Sequence, residues 1–182
     1  MKTIFIIISF LFASQFSAQT KLDSMLFNKV NEYRLSNGLD KIVWDDNIYK
    51  ASNHHSTYLK LLNYDSLKIT ITHSENVDVK DFEELIEFYD RFDKYAPRKN
   101  VYTAENVTGT LKKKNFLIEN LVDIIFDKWK TSSKHNAIML SSNIKSGACS
   151  IVVFTKGFYT SSKDYTKPIE MQRSFATLNV SN

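Results

Sequence analysis

Apolar residues recur at helical spacing near the start of the chain. Leu22, Leu26, Val30 and Tyr33 fall on one stripe and predict a helix over 22–35. Ser36, Asn37 and Gly38 supply its stop. "LDKIVWDD" then reads as a short extended piece that places Trp44 before a new helix start at Asp45 or Asp46. Ile48, Ala51, His55, Tyr58 and Leu62 follow at steps of 3, 4, 3 and 4, so this second helix runs to about Leu62 with His55 on its buried face. The same helix turns His54 elsewhere, toward solvent. Residues 63–80 are irregular. Phe82, Leu85, Ile86, Tyr89 and Phe92 predict an amphipathic helix over Asp81 to Tyr95, which Pro97 ends.

Beyond it, Val101 to Val107 reads as a strand. "NFLIENLVDIIFDKWK" predicts the most apolar helix, from 115 to about 131. Phe116, Leu117, Leu121, Ile124, Ile125 and Trp129 would face inward, with Ile118, Val122 and Phe126 broadening the stripe. Trp44 and Trp129 are both expected in the core. "GACSIVVFTKGFYT" and "IEMQRSFATLNV" are strand-like runs rich in β-branched and aromatic residues. Helices come first and antiparallel-looking strands last, an order that predicts an α+β domain with helices covering a small sheet.

The first twenty residues stand apart. Lys2 precedes Ile4 to Ala13, a stretch apolar but for Ser9, and Ser14, Ser17 and Ala18 form a small-residue cleavage region. Residues 1–18 therefore read as a signal peptide cut after Ala18, which places the protein outside the cytoplasm, secreted or periplasmic. The remainder is expected to be a single domain over 22–180, and a chain of this size can bury about 70% of its surface without covalent staples. Cys149 is the only cysteine, so no internal disulfide can form, and its apolar neighbours predict a buried thiol. The full chain has formal charge +4. Of its 24 basic residues only Arg34, Arg91, Arg98 and Arg173 are arginines. A dispersed lysine-rich surface suits solubility better than phosphate recognition, so no nucleic-acid partner is expected. No second long apolar run follows, so no membrane span is expected after cleavage.

Four fragments carry a resemblance. "LFNKVNEYRLSNGLDKIVWDDNIYKASNHHSTYL", "THSEN", "AENVTG" and "WKTSSKHNAIML" occur in that order over residues 22 to about 155. Together they resemble the CAP superfamily, the SCP-like domain of cysteine-rich secretory and pathogenesis-related proteins, in its bacterial exported form. The resemblance implies a three-layer α-β-α sandwich around a small, mainly antiparallel sheet. It also implies a surface cleft lined by His73, Glu105 and His135. Ser132 stands near the place of the second glutamate of eukaryotic members, and Ala104 replaces the usual glycine before Glu105.

Two imidazoles and a carboxylate could hold zinc with an open position for water, which makes His73 and His135, with Glu105, the candidate metal ligands. Without a metal, Glu105 could orient one histidine as a general base. Ser132, and Ser133 beside it, become nucleophiles only if His73 or His135 reaches the hydroxyl, and a serine at a helix end is also what a cap or turn looks like. Glu75 of "THSEN" is expected to be a solvated loop residue near His73. Three functional classes remain open at this level. The first is a protein whose His/Glu cleft binds an unidentified ligand or extracellular partner. The second is a hydrolase of peptide, ester or phosphodiester bonds. The third is a lipid-binding protein. No self-sufficient catalytic motif decides whether the chain is an enzyme.

Overall fold

The computed structural model describes residues 20–66, 68–98, 101–113, 117–158 and 169–182. The predicted leader and Phe116 lie outside the described residues.

The first helix, α1 (Lys21–Ser36), starts on a capping box. The Asp23 backbone N–H donates to the Thr20 hydroxyl, and the Thr20 N–H donates to the Asp23 carboxylate at 2.8 Å. Gly38, at φ +75°, turns the chain toward β1 (Val43–Trp44). Asp45 caps α2 (Asp46–Leu62), accepting from the Asn47 and Ile48 amides. Then come α3 (Phe88–Tyr95), β2 (Thr103–Lys113), α4 (Glu119–Thr131), α5 (Ser133–Met139), β3 (Ser146–Phe158) and β4 (Ile169–Ser181).

The strands form one sheet in the order β1-β3-β4-β2. β4 pairs antiparallel with both β3 and β2, while the short β1 pairs parallel with β3. Side chains alternate across β4, and the alternation builds two cores. Ala176, Leu178 and Val180 join Cys149 and Ile151 of β3 against Leu26 and Val30 of α1 and Leu121, Ile125 and Trp129 of α4. On the opposite face Phe175 packs with Val107, Tyr58 and Leu59, and Ala148 packs with Ile48, Tyr49 and Phe92. Polar residues stitch α2 to that face: the Ser56 hydroxyl donates to Thr177 Oγ1 at 2.9 Å, and the Ser52 hydroxyl to the Ala148 carbonyl at 3.0 Å. The result is the α-β-α sandwich expected from the motifs.

Several expectations need correction. The helix expected over 81–95 forms only from Phe88. Asp81 sits at φ 61°, and the segment after it gives its backbone to Glu75 instead of to a helix. The Leu85 N–H donates to the Glu75 carboxylate, and the Glu75 N–H donates to the Ile86 carbonyl, both at 2.8 Å. Ile86 and Tyr89 are consequently exposed. The apolar helix begins at Glu119 and not at 115, which leaves Leu117 and Ile118 outside the core. Trp44 is half-buried at the rim, edge-on to Phe27, with its indole N–H on Asp46 at 2.9 Å. Trp129 is fully buried, as is Cys149, whose thiol burial pushes well up in pKa.

Candidate functional site

β2 carries Glu105 on the face that meets α2, and Asn106, one residue on, on the face that meets α5. This alternation sets the site. The Asn106 amide donates to the His135 carbonyl at 3.0 Å and so fixes the first turn of α5 beside the strand. Glu105 is buried and accepts from His73 Nδ1 at 3.0 Å. The His73 side chain is 53% exposed, so a buried carboxylate holds one edge of the ring and the other edge meets solvent. With Nδ1 donating, Nε2 carries the free lone pair.

His135 is half-buried, and its Nδ1 is a buried atom with no hydrogen-bond partner. Burial lowers its pKa, and His73 lowers it further. His73 and Glu105 are thus brought together from distant segments, while His135 stands on α5, tied to the neighbouring Asn106 of β2 through its backbone carbonyl. Ser132 is not drawn into the same chemistry. It links α4 and α5 in an extended conformation and makes no capping bond with its side chain. Its carbonyl accepts from the Asn136 N–H at 2.8 Å. Among the described residues no hydrogen bond joins its hydroxyl to a histidine.

The largest departure from the sequence reading lies at Glu75. Glu75 is buried, not solvated. Its carboxylate accepts from His55 Nδ1 at 2.8 Å, His54 Nε2 at 3.1 Å, the Leu85 N–H at 2.8 Å and Arg91 at 3.2 Å. Burial alone would raise its pKa, but the two histidines, the Leu85 amide and Arg91 outweigh burial and hold it at about 2. His54, expected at the surface, is nearly covered, bonded to Glu75 on one side and to the Tyr95 hydroxyl, at 3.0 Å, on the other. His55 is fully buried as expected. Both its nitrogens face acceptors, Glu75 and the Thr72 carbonyl, so the ring donates from both.

Arg91 joins the two glutamates. It is fully buried, and its NH2 group lies 3.0 and 2.9 Å from the two oxygens of Glu105 and 2.9 Å from the His73 carbonyl. The bonds from His73 and Arg91 and the nearby His55 keep the Glu105 pKa below its ordinary value despite burial. Two buried carboxylates are therefore matched by Arg91 and the doubly donating His55 ring. In the sequence, only the His54-His55 doublet and an arginine within an apolar stripe hinted at this network.

The same geometry bears on zinc. Glu105 is not a free ligand, because a guanidinium occupies both its oxygens. Among the described residues no three His, Cys, Asp or Glu side chains stand as a group that could hold a metal.

A three-layer α-β-α domain with a His73–Glu105 pair at an edge strand defines the class. The family model described as the cysteine-rich secretory protein family, CAP, matches residues 27–166. The chain belongs to that family. An extracellular protein containing an SCP domain, from Bacillus anthracis, superposes with a TM-score of 0.57 at 16% identity. That alignment covers 87% of this chain and 39% of the Bacillus protein, so this chain spans about two-fifths of its length. An outer surface protein from Borrelia burgdorferi aligns at a TM-score of 0.45 and 16% identity, over 85% of this chain and 90% of its own. A cysteine-rich secretory protein from Staphylococcus aureus aligns at 0.46 and 16%, over 88% and 38%. No curated protein matches the sequence. No helix among the described residues is long and apolar enough to cross a membrane.

Proposed function

We propose that this is an exported CAP-domain protein whose cleft binds a polar ligand between His73 and His135. One observation carries the reading. His73 is anchored by Glu105 with its outer edge in solvent, and His135 carries a buried nitrogen that nothing satisfies. A buried polar atom without a partner costs about 1–3 kcal/mol, and a ligand that hydrogen-bonds it removes that cost. Export is supported by the leader-like first 18 residues and by the extracellular description of the Bacillus relative. A ligand-observed NMR screen of polar fragments tests the reading. Fragments are expected to bind the wild type and to be lost in both His73→Ala and His135→Ala. Fragments that bind all three proteins equally would overturn it.

A second reading, hydrolysis, has its own support. Nδ1 of His73 donates to a buried carboxylate, which leaves Nε2 as an exposed base, the orientation general-base catalysis needs. Pooled peptide, ester and phosphodiester substrates test it. Equal rates for wild type and His73→Ala would remove it. Calorimetric titration with Zn²⁺ decides the metal form. Stoichiometric heat lost in His73→Ala and His135→Ala would support an ion on the two imidazoles.

A further inference from the structure

Away from the cleft, three side chains form a relay that the binding reading leaves unused. The Tyr95 hydroxyl lies 3.0 Å from His54 Nδ1, and His54 Nε2 lies 3.1 Å from Glu75 Oε2. Glu75 Oε2 already accepts from the Leu85 N–H, so the Nε2 edge of the ring is the donor in this pair. That fixes the tautomer of a neutral ring: Nδ1 is the acceptor and receives the Tyr95 O–H. The order hydroxyl, imidazole, carboxylate, each within hydrogen-bond reach of the next, is the nucleophile–base–orienter arrangement of acyl-transfer sites.

The surroundings keep the relay in place and leave its outer member reachable. The Phe82 ring lies tilted over the His54 ring, with centroids 4.6 Å apart, and covers part of it. The His54 side chain is 9% exposed, whereas Tyr95 is only half-buried at the end of α3. Lys94 stands 5.5 Å from the centre of the Tyr95 ring and is paired with Glu83. Burial raises the Tyr95 pKa, so the phenol stays protonated and needs a base to react.

We propose that Tyr95 is a nucleophile toward neutral, activated carboxylic esters, with His54 as its general base and Glu75 as the residue that positions His54. The Tyr95 oxygen attacks the ester carbonyl carbon while its proton passes to His54 Nδ1. The imidazolium is stabilised by Glu75 through Nε2–H. As the tetrahedral intermediate collapses, the ester C–O bond breaks and the leaving alkoxide takes the proton back from Nδ1. The products are O-acyl Tyr95 and the free alcohol, with the relay restored.

The test uses the full chain and p-nitrophenyl acetate. Peptide mapping by mass spectrometry is expected to find acetyl on Tyr95 before the exposed Tyr64, Tyr89 and Tyr102. One equivalent of nitrophenol should be released in a burst. Tyr95→Phe should abolish that burst, and His54→Gln should slow acetylation of Tyr95 about 100-fold, the lower range for loss of a general base. The wild-type map decides the matter even if a variant fails to fold. Acetyl spread over exposed tyrosines and lysines, with Tyr95 no faster than they are, would overturn the proposal. So would an unchanged Tyr95 rate in folded His54→Gln.

Discussion

Arg91 NH2 lies within 3.0 Å of both carboxylate oxygens of Glu105, and neither side chain meets solvent. NH1 of the same guanidinium reaches Glu75. Removing one arginine therefore strands two buried carboxylates. Arg91→Met is expected to lose about 3–5 kcal/mol in urea denaturation, the range for breaking a buried pair from one side. Arg91→Lys should recover little, because an ammonium cannot serve both glutamates and the His73 and Leu85 carbonyls from one planar fork.

Acid should act through Glu75. Its folded pKa, about 2, lies below the ordinary 4.5, so its contribution is fully present above about pH 4.5 and is lost as pH falls toward 2. Glu105 is shifted in the same direction and adds to the loss. Urea midpoints measured from pH 6 down to pH 3 should fall steeply below pH 4.5, and Glu75→Gln should flatten that slope. An unchanged slope in a folded variant would show that other groups carry the acid transition.

His135 should separate binding from stability. Its buried Nδ1 has no partner, so an apolar side chain of similar length removes a desolvation cost. His135→Met is expected to melt at or slightly above the wild-type temperature while losing cleft ligands. Glu105→Gln should behave in the opposite way, losing stability because Arg91 is left short of a charged partner.

Cys149 is fully buried, and its pKa is raised by burial and then by the charge of Asp23. A thiol reagent such as DTNB should leave the native protein unlabelled at pH 8 and label one thiol per chain in denaturant. Native labelling at the denatured rate would contradict the packing of β3 against α1.

Much of the fold was legible because its causes are local. Apolar spacing set α1 and α2 within a residue or two of their observed ends, and the β-branched runs set β3 and β4. The error over 81–87 shows the limit of periodicity. That segment has helical spacing, yet the Glu75 carboxylate and backbone take the Leu85 N–H and the Ile86 carbonyl. A partner ten residues upstream outcompeted the next turn of helix.

The candidate site divides in the same manner. The motifs selected His73, Glu105 and His135, and the chain by itself determined the strand under Glu105, the single thiol and the family's order of fragments, but not the short helix α5 that carries His135. Only the tertiary structure decided that Glu75 is buried, that His54 bridges it to Tyr95 and that Arg91 occupies Glu105. The reason is physical. Periodicity records whether a position faces the core, but a buried charge is tolerated only with its partners. Those partners come from α2, the 72–87 segment, α3 and β2, whose meeting is settled by packing across the sheet and not by spacing along the chain.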